Sequence, residues 1–186
     1  MSSVLVIIPA HNEEETIRQV VTGALRHADV SVTDDGSRDR TPDILRELAA
    51  EYNGRGGKNT LHIITHEQAT HIPRGLQDGL RFGVSGKWTH FITMDAGMSH
   101  DPEALSEFIA VDSDCDVVIG SRRRCANVPL YRRGISLGAA RLVNYALTPR
   151  LFTLCGPGIH DCTSGFRRYS RRAAEIVAAA DLRSKS

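Results

Sequence analysis

Apolar residues along this chain follow two periods that alternate from one end towards the other. Val4–Ile8 is a short unbroken apolar run that stops at Pro9, the pattern of a strand buried on both faces. Ile17, Val20, Val21, Ala24 and Leu25 then recur at helical spacing, and Asn12 with Glu15 three residues on reads as a capping box opening that helix. Val30–Thr33 is a second strand. Thr41-Pro42 opens the next helix with proline at its first position, and Leu45, Leu48, Ala49 and Tyr52 form its apolar stripe. A glycine-rich loop at Asn53–Gly57 leads to a third strand at Leu61–Thr65. Gly75–Val84 reads as a helix and Phe91–Met94 as a fourth strand. Asp101-Pro102 caps a helix carrying Leu105, Phe108 and Ile109, and Asp116–Ile119 is a fifth strand. Beyond Arg122 the pattern loosens into a loop, a helix near Gly134–Leu147, a short strand near Phe166–Tyr169 and a helix from Arg171 to Ala180. This alternation predicts an α/β fold, with a mostly parallel sheet and helices on both faces.

Two of these strands end on acid. Val30–Thr33 runs into Asp34-Asp35-Gly36-Ser37, and Phe91–Met94 into Asp95-Ala96-Gly97-Met98-Ser99-His100-Asp101-Pro102. Open α/β sheets bind ligands outside the carboxyl ends of their strands. Carboxylates there suit a divalent cation that bridges to a phosphorylated ligand. Each piece also has a plain structural use: Asp34–Ser37 makes an ordinary turn, Asp101 a helix cap, and Glu13, Glu14 and Glu15 first-turn acids favoured by the helix dipole. His62 and His66 have the spacing of helical zinc ligands, but on a strand that spacing separates them by ~13 Å. The first strand–helix turn, Pro9-Ala10-His11-Asn12-Glu13, lacks the glycines of a dinucleotide fold or a P-loop, which argues against both.

Composition bounds the class. The chain has 186 residues, 41% of them hydrophobic and 24% charged, which suits one domain spanning 1–186. No apolar run approaches the ~20 residues of a membrane-spanning helix, and no signal-peptide pattern precedes the first strand. Cys115, Cys125, Cys155 and Cys162 form no CxxC pair and read as reduced thiols of a cytoplasmic protein. Charge divides the chain sharply. Residues 1–120 hold 10 Lys+Arg and 19 Asp+Glu, whereas residues 121–186 hold 13 and 3, with no acid between Ser121 and His160. Such a basic stretch is either a solvated face or a surface for an anionic partner.

In order, PAHNE after a strand, VTDDGSRDRT, MDAGMSHDP, VVIGSR and DCTSGFRRYS resemble the family 2 glycosyltransferases of GT-A fold. The nearest likeness is to the polyprenyl-phosphate (dolichyl-phosphate) mannose synthase group, and it extends over nearly the whole chain. The resemblance implies a Rossmann-like α/β/α sandwich with a nucleotide-sugar-binding half at 1–120 and a basic acceptor-side half at 121–186. It implies that Pro9, His11, Glu13, Asp34 and Asp35 bind the nucleotide. Asp95 would hold Mg²⁺ or Mn²⁺ within the metal-and-diphosphate segment that includes Gly97 and Ser99. Asp95, Arg122 and Arg133 would be catalytic, with Arg132, Ser136, Asp161, Ser164 and Arg167 on the acceptor side. The implied reaction is inverting transfer of a hexose, mannose from GDP-mannose or alternatively the sugar of a UDP-sugar, to a polyprenyl or dolichyl phosphate. The chain would act peripherally at the cytoplasmic face of an anionic membrane, with no nucleic-acid partner.

The chain departs from the family pattern at three places. His11 stands where the family has Tyr, and Gly97 where it has a second metal carboxylate. The pattern continues past Ser186 with a strand and a basic loop, so the resemblance implies a C-terminally truncated form. The alternative from another class is a module that binds a sugar nucleotide with weak or no turnover. A nucleotidyltransferase would instead require a glycine-rich phosphate loop after the first strand.

Overall fold

The computed structural model describes residues 3–54, 58–70, 72–98, 100–111, 114–120 and 164–180. Six strands are present among them: β1 (Val4–Ala10), β2 (Asp29–Asp35), β3 (Leu61–His66), β4 (His90–Thr93), β5 (Val117–Ile119) and β6 (Arg167–Ser170). The described helices are α1 (Ile17–Leu25), α2 (Thr41–Gly54), α3 (Ile72–Ser85), α4 (Leu105–Ala110) and α5 (Arg171–Ala179), with a 3₁₀ turn at Pro102–Ala104 before α4. The expected helix near 134–147 lies outside the described residues. The chain divides into two compact units, Met1–Val118 with Arg168–Ser186, and Ile119–Arg167.

The sheet order is β3-β2-β1-β4-β6-β5. β1 pairs in parallel with β2 and with β4, and β2 in parallel with β3, as the βαβ alternation predicts. Ser170 donates its N–H to the Asp116 carbonyl, and Gly120 donates to Phe166. These two bonds step in opposite directions along the chain, so β5 and β6 run antiparallel.

β1 is buried along nearly its whole length. On one of its faces Leu5 and Ile7 join Leu80, Trp88, Phe91, Tyr169, Ala174 and Ala178 in a core cluster. α3 reaches this face through glycines one turn apart. A Cβ on Gly79 would stand 2.4 Å from Ile7 Cγ2, and one on Gly83 2.6 Å from Phe91 Cε1. α3 and α5 cap one another. Gln77 donates to the carbonyls of Val177, Ala178 and Ala180, and Arg81 to Ala178. In return the Arg171 guanidinium takes the carbonyls of Val84, Gly86 and Trp88. Helix ends leave such carbonyls without internal partners, so these side chains tie α3 to α5.

The capping box expected at Asn12 does not form. α1 begins at Ile17, behind Thr16, with no acid in its first turn. Asn12 adopts a left-handed φ of 55° and its carboxamide bonds elsewhere. Asp101 does cap the next helical segment, its carboxylate accepting from the Glu103 N–H at 3.0 Å. Cys115 is the one cysteine among the described residues, exposed and outside any disulfide.

Candidate functional site

Because β2, β1 and β4 are adjacent and parallel, their carboxyl ends share one edge. Ala10 pairs with Asp34 across β1–β2, and Ile7 with Thr93 across β1–β4. The edge therefore brings together Pro9 and His11 after β1, Asp34 and Asp35 at the end of β2, and Asp95 just past β4. Two strand spacings of ~4.8 Å separate the β2 and β4 ends.

The loops after β1 and β2 are zipped by their own side chains. Ser37 Oγ accepts from the Asn12 N–H (2.9 Å), Thr41 Oγ1 from Glu13 (2.8 Å) and an Asp39 oxygen from Glu14 (3.1 Å). Two bonds run the other way: the Asn12 carboxamide accepts from the Arg38 N–H (2.8 Å) and Glu14 from Arg40 (3.0 Å). This exchange explains the late start of α1, because the backbone donors of residues 12–14 are held by the neighbouring loop. His11 Nδ1 donates to the Asp35 carbonyl at 2.8 Å, and its Nε2 lies 3.1 Å from the Asn12 amide nitrogen. Glu13 accepts the Thr16 hydroxyl at 2.9 Å. Asp34 is buried and holds the turn by accepting from the Ser37 N–H at 3.2 Å. Gly36 closes that turn with a φ of 67°, where a Cβ would stand 2.8 Å from the Ala69 nitrogen.

Asp35 is 5% exposed. Its Oδ1 receives three donors: His66 Nδ1 at 2.8 Å, the Thr70 N–H at 2.8 Å and the Thr70 hydroxyl at 2.7 Å. Burial pushes the Asp35 carboxyl up, but the bonds from His66 and Thr70 outweigh it and bring the pKa down to about 2. The group is an ionised carboxylate throughout the physiological range. His66 Nε2 in turn lies 3.2 Å from Asp78 of α3, which Arg81 pairs at 3.1 Å. His62, on the same strand, packs instead against the rings of Phe82 and Trp88.

Asp95 is exposed, with its Oδ2 3.2 Å from Nε2 of the buried His100. Gly97 has open space around it: a Cβ there would meet nothing within 4 Å. No group of three or more His, Cys, Asp or Glu gathers among the described residues. One accessible hard carboxylate still fits Mg²⁺ or Mn²⁺, since Mg²⁺ takes one or two protein carboxylates and completes its shell with water and substrate phosphates.

Of the acceptor-side candidates, Ser164 is buried and its hydroxyl accepts from the Phe166 N–H, while Arg167 Nε donates to the Ser164 carbonyl at 2.8 Å. Arg122, Arg132, Arg133, Ser136 and Asp161 lie outside the described residues, as does Ser99. The sequence reading overlooked Thr70, the pairing of His66 with Asp35, and the zipping residues Asn12, Ser37, Asp39 and Thr41. His66 could have been found from the β2–β3 register, which sets it directly opposite Asp35.

A mostly parallel sheet, with acid-bearing loops zipped together at the carboxyl edge of β2, β1 and β4, places the fold among the GT-A-like glycosyltransferases. The fold matches a mannosyltransferase from Pyrobaculum calidifontis, solved in complex with GDP-Man and Mn²⁺, with a TM-score of 0.61 at 16% identity over 94% of this chain and 46% of that one. The sequence pattern described as Glycosyl transferase family 2 matches residues 5–177, and the chain belongs to that family. It is 33% identical over 182 residues to the polyprenol monophosphomannose synthase of Mycolicibacterium smegmatis, covering 93% of this chain and 63% of that protein. The chain thus spans less than two thirds of the mycobacterial protein's length. It is 33% identical over 187 residues to the undecaprenyl-phosphate mannosyltransferase of Micrococcus luteus, covering 96% of this chain and 70% of that one.

Proposed function

We propose that this chain binds a nucleoside-diphosphate sugar along the carboxyl edge of β1, β2 and β4 and transfers its hexose to a polyprenyl phosphate. The observation that carries the reading is the pairing of two unlike carboxylates on that edge. Asp35 is buried, ionised and held by three donors, which suits a fixed acceptor for the nucleoside. Asp95 is exposed two strands away, which suits a hard ligand beside the diphosphate. The names of the mycobacterial and Micrococcus relatives support mannose as the sugar and a polyprenyl phosphate as the acceptor. GDP-mannose is the favoured donor, and a UDP-sugar is the alternative.

In this mechanism Pro9, His11, Glu13, Asp34 and Asp35 hold the nucleoside, and the zipped loops keep them in place before the donor arrives. Asp95 would hold the divalent cation, which when bound neutralises charge growing on the departing diphosphate. Arg122 and Arg133 add fixed positive charge to the same task. The acceptor phosphate has a second pKa near 6 and is already anionic at neutral pH. It needs orientation rather than a general base, and Arg132, Ser136, Asp161, Ser164 and Arg167 would provide it. Direct attack on the anomeric carbon inverts its configuration. Among the described residues no helix is long and apolar enough to cross a membrane. The basic stretch 121–160 would reach the lipid acceptor by lying against an anionic cytoplasmic surface.

Gly97 favours a second reading, binding without appreciable transfer, because it leaves Asp95 without a carboxylate neighbour two residues on. Calorimetry with GDP, UDP and their sugars, with and without Mn²⁺, tests the donor site. Mannose transfer from GDP-mannose to a short polyprenyl phosphate, assayed on the same sample, then separates the two readings. Asp35→Ala should weaken nucleotide binding by roughly 1–3 kcal/mol, the cost of losing a charged hydrogen-bond partner. Unchanged affinity in that variant refutes the donor-site assignment.

A further inference from the structure

We propose that His66 is a positioning residue: with Thr70 it engages Oδ1 of Asp35 and so leaves Oδ2 as the oxygen offered to the nucleoside. The proposal rests on the reading of Asp35 as part of the donor pocket.

Three donors meet at Asp35 Oδ1, from His66 Nδ1 and from the N–H and hydroxyl of Thr70. A carboxylate oxygen has about two lone-pair sites, so Oδ1 is saturated by the protein. Oδ2 makes no hydrogen bond among the described residues. A carboxylate anchored through one oxygen cannot turn without breaking those bonds, and its free oxygen keeps a fixed direction. A ligand then meets an acceptor that is already ordered, and binding is spared the cost of ordering it.

His66 is itself clamped from the far side. Its Nε2 lies 3.2 Å from Asp78 Oδ2 on α3, and the His66 side chain is 15% exposed. Arg81 pairs with the other Asp78 oxygen at 3.1 Å, and Arg74 Nε lies 3.8 Å from Oδ2. Arg81 is in turn tied to α5 through the Ala178 carbonyl at 3.1 Å. The imidazole therefore spans a gap between β2 and α3 that each of its nitrogens fills separately. Nδ1 serves the pocket and Nε2 serves the fold.

That division makes a merely structural role separable from positioning. Asparagine places an amide N–H near the site of Nδ1 and gives up the contact with Asp78. Glutamine places its amide near the site of Nε2 and gives up the contact with Asp35. Calorimetry with GDP and with UDP on His66→Asn, His66→Gln, His66→Ala and wild type is the test, with thermal unfolding followed in parallel. His66→Asn should bind within roughly threefold of wild type, and His66→Gln and His66→Ala should bind roughly tenfold more weakly, the scale of one charge-assisted bond. On an Asp35→Ala background, His66→Ala should cost nothing further, because its effect passes through Asp35. Equal affinities for the Asn and Gln variants, or losses that multiply with that of Asp35→Ala, overturn the proposal while leaving the donor site standing. Failure of wild type to bind either nucleotide overturns the donor-site reading, and the proposal with it.

Discussion

Replacing Asp35 with asparagine removes a titration from the folded state, and its size follows from the geometry. The substituted amide keeps a side-chain oxygen where Oδ1 receives His66 and Thr70 but cannot ionise. In wild type, burial raises the Asp35 pKa and the three bonds lower it further than burial raises it, from 3.8 to about 2. One pKa unit corresponds to about 1.4 kcal/mol, so the carboxylate contributes about 2 kcal/mol of folding stability. The group is only 5% exposed. The folded pKa lies below the unfolded one, so this stabilisation is fully present above about pH 5. It fades as the unfolded carboxyl binds its proton near 3.8 and is gone once the folded one does so near 2. Urea unfolding followed by the fluorescence of Trp88, the single tryptophan, measures it across this range. The stability of wild type relative to Asp35→Asn should fall by about 2 kcal/mol between about pH 6 and pH 2. Asp39 also lies below its ordinary pKa, since bonds from Thr41 and Glu14 outweigh its burial. It titrates in both proteins and cancels. Parallel pH profiles for the two proteins would refute the claim that His66 and Thr70 stabilise an ionised Asp35.

Gly97→Asp should tighten Mn²⁺ binding measured calorimetrically in the presence of GDP, because the added side chain enters open space and supplies a second hard oxygen ligand; unchanged affinity would mean that residue 97 does not face the ion. Asp95→Asn should remove any metal dependence of diphosphate binding in the same experiment. Gly79→Ala should destabilise the fold by about 1–3 kcal/mol in urea, since its Cβ would meet Ile7 Cγ2 at 2.4 Å. Gly75→Ala, where the nearest atoms stand at 3.5 Å, should be neutral or gain up to about 1 kcal/mol from helix propensity. Sedimentation with anionic vesicles at low salt should capture the chain through its basic stretch, each arginine at the surface contributing about 1 kcal/mol, and neutral vesicles or high salt should release it.

Much of the β2-β1-β4 edge was legible in the residues themselves. Short apolar runs closing on acid marked the ends of β2 and β4, and the alternation of periods marked β1 to β4 as parallel. Helices α1 and α2 appeared where their apolar stripes placed them and α3 near the stretch read as a helix, although α1 began later and α3 earlier than read. The error at Asn12 is instructive. A capping box is a local pattern, and Asn12-x-x-Glu15 satisfied it, but the backbone donors it would serve are held by Ser37, Asp39 and Thr41 from a loop more than twenty residues away. Nothing near Thr70 signals its role, because a threonine after a strand carries no pattern of its own.

What the sequence by itself determined is therefore the class of fold and the strand ends that carry acidic turns, since hydrophobic period and turn chemistry act between near neighbours. Only the tertiary structure decided how the carboxylates differ. Asp34 and Asp35 are adjacent acids with the same local pattern, yet one closes a turn and the other gathers donors from β3 and the loop that follows it. That difference depends on β3 lying beside β2 in a register that sets His66 opposite Asp35, and on α3 coming close enough, through Gly79 and Gly83, to brace the imidazole with Asp78. Burial and hydrogen bonding between distant segments set the charge and orientation of a side chain, and those contacts exist only once the chain has folded.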